Sequence, residues 1–282
     1  MESKSYPVRV LCRVMQVGKS AYYSWLKRPM PDPAYVAAKL RLHATIKQFF
    51  DESRASLGNR MMVKKLRKEG FKIGRYKVRS VMKKLGLFAQ QRRAYRTTTK
   101  RRHSDAVASN LINQNFNPAG INEVWAGDVT YIKTTEGWMY LAIVMDLFSR
   151  KIVGWALDKH MKTSLIADAF RQAYILRKPE SGLIFHSDRG SQYTSKEYRD
   201  LLKDCHVKAS MGDVGACWDN AVVERFFGSL KYDWIFKNPQ STRANLRKDV
   251  ASYIRYYNLE RLHTYTGFKS PVDYENEFRN AA

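Results

Sequence analysis

Three carboxylates sit where a polypeptide can bring them together. Asp128 lies inside Trp125-Ala126-Gly127-Asp128-Val129-Thr130-Tyr131-Ile132, a run whose β-branched and aromatic residues favour a strand. Asp188 follows the apolar run Leu183-Ile184-Phe185, read as a short buried strand, and enters a loop at Gly190. Glu224 belongs to a helix that runs on to Lys231, preceded by the N-cap types Asp219 and Asn220. In that helix Val223, Phe226, Phe227 and Leu230 make a buried stripe, while Glu224, Gly228 and Lys231 share another face. Taken alone, Glu224 reads as a surface residue of an amphipathic helix. With Asp188 thirty-five residues upstream (189 to 223 intervene), a different chemistry opens. Carboxylates on two strands and one helix can converge on Mg²⁺, which takes oxygen ligands and shares its shell with waters and substrate phosphates. Two such ions about 3.5–4 Å apart activate a water or a 3′-hydroxyl and stabilise the leaving oxygen of an in-line displacement.

The elements that must hold these residues are legible around them. Strands are expected at Glu123–Thr134, Trp138–Leu147 and Lys151–Leu157, the first two joined by a turn at Glu136-Gly137. A helix over Thr163–Arg177, a strand at Leu183–Asp188, a helix near Ser195–Lys203 and a strand at Val207–Met211 precede the Glu224 helix. Asp146, before Phe148-Ser149-Arg150, reads as a turn or ion-pair residue. His186 shares a sheet face with Asp188 and is either a hydrogen-bonded structural histidine or a participant beside the metals. Gly212 to Cys217 reads as a mobile loop. Leu246 to Tyr257 reads as a helix, followed by a basic, aromatic tail, Arg261 to Gly267 with Ser270-Pro271, that packs on the core or meets DNA.

Upstream the chain is helical and basic. Val8 to Met15 and Ala21 to Lys27, separated by Gly18 with Ser20 as cap, have the shape of a small helix-turn-helix. Three further helices follow: Tyr35 to Asp51, one carrying Met62, Val63 and Leu66 and ending at Gly70, and one from Tyr76 to Gly86. Leu57 to Arg60 reads as a turn. The polar faces carry Arg60, Lys64, Arg75, Lys77 and Arg79, almost wholly of one sign, which points to DNA. Gln90 to His103, with Arg92 and Arg93, reads as an extended linker along phosphates.

Charge follows the same division. The formal net charge is +24. Residues 1–110 carry 27 Lys/Arg against 6 Asp/Glu, net +21, and residues 111–282 carry 23 against 20, net +3. A basic part joined to a near-neutral one suits a polyanion grip on a separately folded core rather than a membrane-surface helix. The three cysteines, widely spaced, form neither a disulfide frame nor a good zinc pattern, and no apolar run approaches a membrane span. A cytoplasmic, nucleoid-associated protein is expected. The boundaries follow as 1–30 (short helix-turn-helix-like segment), 35–89 (helical DNA-binding module), 90–122 (basic linker), 123–235 (catalytic core) and 236–282 (C-terminal helix and tail).

The spacing Asp128, Asp188, thirty-five residues, Glu224, with Lys231 seven residues on, resembles the retroviral-integrase superfamily. The words Gly127-Asp128-Val129-Thr130-Tyr131, Asp146-Leu147-Phe148-Ser149-Arg150, His186-Ser187-Asp188 and Asp219-Asn220-Ala221 with Phe226-Phe227 resemble, more narrowly, bacterial insertion-sequence transposases. Within these, the likeness is to the catalytic second-frame product of two-frame elements, from about Val8 to the C-terminus. The resemblance implies an α/β fold, an RNase H-like mixed sheet preceded by helix-turn-helix modules, and the order of strands and helices agrees. It implies a DDE transposase in which Asp128, Asp188 and Glu224 hold two Mg²⁺ ions, with Mn²⁺ a substitute. The enzyme would cut at element ends and join the freed 3′-hydroxyl to target DNA without a covalent protein–DNA intermediate. Lys231, Arg189 and Asn220 would touch DNA beside the carboxylates. A first-frame partner or fusion, and a homo-oligomer on DNA, are implied as well. The chain departs from the family's habit at Leu57, at Met61-Met62 and at Asp213. Two rival readings are a purely hydrolytic RNase H-like nuclease and a DNA-binding regulator with an inactive core.

Overall fold

The computed structural model describes residues 6–27, 32–89, 108–113, 115–212, 221–237 and 241–281. The chain divides into two compact units, Met1–Gln48 and Phe49–Ala282. The first holds α1 (Val8–Val14), α2 (Lys19–Leu26) and most of α3 (Pro33–Glu52). Helix α2 starts two residues earlier than expected, with Gly18 rather than Ser20 at its cap and no side-chain hydrogen bond there. Tyr22 gathers Tyr23 and Trp25 around it.

The second unit begins with α4 (Asn59–Lys68) and α5 (Arg75–Lys84), which face each other through Met62, Val63, Leu66, Val78, Val81 and Met82. The expected turn at Leu57 to Arg60 is shorter than read, since α4 already starts at Asn59 behind Gly58. Each helix ends on a left-handed glycine, Gly70 (φ 83°) and Gly86 (φ 68°). The amides of Gly70 and Phe71 turn back to the carbonyls of Arg67 and Leu66, so the exposed helix end is satisfied and the chain reverses sharply.

The core is a five-stranded sheet in the order β3-β2-β1-β4-β5. Strands β1 (Val124–Thr134), β2 (Gly137–Asp146) and β3 (Ile152–Asp158) form an antiparallel meander. After α6 (Thr163–Arg177) the chain returns as β4 (Ile184–Ser187), parallel to β1. Helices α7 (Ser191–Thr194) and α8 (Lys196–Asp204) lead to β5 (Lys208–Met211), parallel to β4. Then come α9 (Ala221–Asp233), α10 (Arg243–Leu259) and α11 (Pro271–Ala281).

Alternation along β2 sorts the core into two layers. Leu141, Ile143 and Met145 meet Phe226, Leu230, Val250, Tyr253 and Tyr257 of α9 and α10. Ala142 and Val144 face the opposite layer, where Trp125, Phe170, Phe185 and Tyr198 pack with α6 and α8. The C-terminal tail packs on this core as a helix. Glu275 of α11 is buried and receives Arg177 Nη1 at 2.8 Å, Lys151 Nζ at 2.9 Å and the Ser149 hydroxyl at 2.8 Å. Asp146 completes the cluster, pairing with Arg177 at 3.2 Å and accepting from the amides of Asn122 and Phe148. It is thus both the turn residue and the ion-pair residue. No helix among the described residues is long and apolar enough to cross a membrane.

Candidate active site and nucleic-acid interface

Register decides where the two aspartates fall. In the parallel β1–β4 pair, Trp125 lies opposite Phe185 and Ala126 opposite His186. The pairing ends there: Asp128 lies two residues further along, in the middle of β1, and Asp188 two residues further along its own chain, just past the carboxyl end of β4. Ligands of α/β sheets gather at such strand ends. Both aspartates are half-buried. Asp128 Oδ1 accepts from the Val129 amide at 2.7 Å, and Asp188 Oδ1 from the Gly190 amide at 2.9 Å.

Beneath them lies Tyr193, 3 % exposed. A Cβ placed on Gly127 would come within 3.2 Å of the Tyr193 hydroxyl and 2.5 Å of Phe185 Cζ, so only glycine lets the ring reach this position. Burial pushes the Tyr193 hydroxyl well up, and Tyr198, Asp128 and Asp188 push it further. It therefore stays a neutral donor within the field of both carboxylates. Tyr193 carries no role in the sequence reading. Its signal there was a bulky polar residue five positions after Asp188, following a glycine turn.

Glu224 stands on the exposed face of the first turn of α9, and the partial burial it has raises its pKa. Among the described residues no three His, Cys, Asp or Glu side chains are gathered into a metal-binding cluster. Asn220 and the loop 213–220 that leads into α9 lie outside the described residues, as do Arg92, Arg93 and the linker. Lys231, two turns beyond Glu224, extends its ammonium over the Tyr131 ring at 5.0 Å. Burial lowers its pKa and Asp128 raises it, so the ammonium and the aspartate share one field. Asp233, two residues further along α9, pairs with Arg261 at 3.3 Å.

Arg189 donates from Nε to the Gly212 carbonyl at 2.7 Å, tying the loop after β4 to the end of β5. His186 is buried with Nδ1 2.9 Å from the Ser210 hydroxyl, a structural contact between β4 and β5.

The basic helices differ in what they face. Helix α4 turns towards the C-terminal segments: Lys64 lies over the Phe268 ring at 4.3 Å, Lys65 reaches Glu260 at 3.7 Å and Lys68 reaches Asp273 at 3.1 Å. Just before it, Arg54 pairs with Asp249 at 3.1 Å and stacks on Trp234. Arg60, Arg75, Lys77 and Arg79 are exposed, with Arg75 donating to Asn59.

Residues 118–217 and 205–271 match the family described as integrase core domain, and residues 37–95 match an HTH-like domain. The transposase InsF for insertion sequence IS3A of Escherichia coli (strain K12) is 35% identical over 273 residues, covering 96% of this chain and 95% of that protein. A 31 kDa uncharacterized protein of insertion element IS600 from Shigella sonnei is 35% identical over 277 residues, covering 96% of this chain and 100% of that protein. Among solved structures, the HTLV-2 integrase catalytic core domain in complex with magnesium is 22% identical, with a TM-score of 0.45, covering 55% of this chain and 96% of that chain. With these full-length relatives, the integrase core and the HTH-like helices before it, the chain belongs to the IS3-family insertion-sequence transposases, DDE polynucleotidyl transferases that bind DNA.

Proposed function

We propose that Asp128, Asp188 and Glu224 hold two Mg²⁺ ions, with Mn²⁺ a substitute, at which the element's ends are cut and joined. What supports this is that Asp128 and Asp188 each lie two residues beyond the last β1–β4 pair, Ala126 with His186, and that both act on the one buried Tyr193 hydroxyl. The donor set is all carboxylate oxygen, which suits a hard cation. Bound magnesium would supply Lewis-acid activation of the attacking oxygen and stabilisation of the leaving one.

The chain's own residues have separate tasks. Val129 N–H and Gly190 N–H each hold one oxygen of an aspartate in place. Lys231 binds the phosphate next to the reacting one, about 10.5 Å along the helix axis from Glu224. Arg189 and Asn220 contact DNA beside the carboxylates, and Arg60, Lys64, Arg75, Lys77, Arg79, Arg92 and Arg93 further out. The chain works as a homo-oligomer on DNA, with a first-frame product supplying recognition of the ends.

Asp188→Asn tests the assignment. Cleavage and strand joining are expected to vanish while gel-shift affinity for DNA holds, because the carboxylate serves metal and the basic helices serve phosphate. Cleavage that survives in Asp188→Asn at a level comparable to wild type sinks the site. Joined products in the wild-type reaction separate transposition from simple hydrolysis.

A further inference from the structure

Beyond Ala126, β4 no longer pairs with β1, and the hairpin β1–β2 runs on with one face outward. Thr130, Ile132 and Thr134 point inward and are buried, so Tyr131 and Lys133 point outward. Register places Tyr131 opposite Tyr140 and Lys133 opposite Trp138, which makes Tyr131 and Trp138 diagonal neighbours on that outer face. Their rings meet edge to face, centroids 5.4 Å apart. Tyr131 is 49% exposed and Trp138 47%.

We propose that Tyr131 and Trp138 form a stacking platform for an unpaired base of the DNA strand held at the carboxylates. The proposal rests on the reading of the carboxylate site given above and names the part of the substrate that lies beside it. Three features select this occupant. The first is distance: Tyr131 is three residues along β1 from Asp128, about 10 Å. At about 3.4 Å per nucleotide that is some three nucleotides from the reacting phosphate. Although this spacing turns the two side chains to opposite faces, Lys231 reaches both, over the Tyr131 ring and within the field of Asp128.

The second is charge. Lys231 lies over the Tyr131 ring, Lys133 shares the outer face, and the guanidinium of Arg243 approaches Gly137 in the turn, where a Cβ would meet Nη2 at 3.2 Å. The acid in that turn, Glu136, is occupied by the Arg243 backbone amide at 2.6 Å. Cations around exposed rings match a phosphodiester strand with its bases turned inward.

The third is access. A base in duplex DNA hides both faces in its stack, so these rings can take only a base that has left it. Stacking of this kind tolerates any base, because each has a π-face. An enzyme that cuts one strand and carries its end to a new site produces such unpaired nucleotides, and a platform here would hold them in register with Asp128 and Lys231.

The test uses the full chain and two duplexes of one sequence, one blunt and one with a short oligodeoxythymidine 3′ tail carrying a single 2-aminopurine. Wild type should quench the tail's fluorescence and bind the tailed duplex more tightly than the blunt one. In Tyr131→Ala and Trp138→Ala the quench should disappear and affinity for the tailed duplex fall about tenfold, the size of one base–aromatic stack, with blunt affinity unchanged. Tyr131→Phe and Trp138→Phe keep the rings and should behave as wild type, which guards against a folding defect. Equal losses on tailed and blunt DNA, or no loss on either, overturn the platform. Asp188→Asn separates the two readings: it should retain the quench, and if it also retains cleavage the carboxylate assignment fails while the platform stands.

Discussion

Lys231 is proposed above to serve the chemistry without touching the reacting atoms. Its ammonium lies on Tyr131 and within the field of Asp128, so it is held rather than free to sweep the surface. Lys231→Ala should slow joining and weaken binding of cut ends, and should reduce the slope of log K against log salt by about one. An unchanged slope together with an unchanged joining rate would remove it from the site. His263 makes a different kind of statement. Its Nε2 is buried with no hydrogen-bond partner, and the ring stands edge-on to Tyr257. Burial, with Arg261 and Arg150 nearby, lowers its pKa from 6.5 to about 3. The unfolded chain takes up this proton first, so the histidine's contribution to stability is complete above about pH 6.5 and is lost as pH falls towards 3. The limiting slope is about 1.4 kcal/mol per pH unit. Urea midpoints of wild type and His263→Gln across this range check it: the wild-type curve should fall more steeply, and parallel curves would contradict the assignment.

Among the elements, α4 and α5 look alike in sequence and differ in place. The lysines of α4 are spent largely on the C-terminal segments, whereas Lys77 and Arg79 of α5 stand exposed. Lys77→Ala with Arg79→Ala should reduce the salt-dependence slope by about two. Lys65→Ala with Lys68→Ala should leave it unchanged and cost at most about 1 kcal/mol of stability, as exposed pairs do. Filter-binding titrations at several salt concentrations decide between these outcomes, and equal slopes would deny the division of labour. Composition gave both helices one basic face, because charge periodicity says which residues avoid a core but not what they meet outside it. Long periodic elements were legible to the residue: α6 spans Thr163–Arg177 as its apolar pattern dictates. The neighbourhood of Asp128 and Asp188 was half legible: the two runs around them read as strands, while the parallel pairing of those strands comes from the sheet. Helix α11 was not read, although Ser270-Pro271 with Asp273 marks a helix start, because the apolar positions after it are few. Tyr193 stayed hidden for another reason: its neighbour Gly127 is remote in sequence.

At the scale of the molecule, the charged cluster at the far end of the sheet ties three distant stretches into one body. Arg177 ends α6, Asp146 ends β2 and Glu275 sits in the last helix, all buried. Removing one partner strands the others, so Glu275→Gln should cost about 3–5 kcal/mol, read as a lowered urea midpoint. A loss below about 1 kcal/mol would show that solvent reaches the cluster more easily than its burial indicates. The sheet order carries a consequence of its own in time. β1, β2 and β3 pair with their neighbours in sequence and need nothing further along, whereas β4 must cross over α6 to reach β1. A chain emerging from the ribosome thus completes its basic helices first, then the meander bearing Asp128, then Asp188, and Glu224 only on α9. On the site proposed above, the nascent chain thus carries its basic helices and both aspartates before it carries Glu224, while the inner face of β2 waits for the apolar residues of α9 and α10 to cover it.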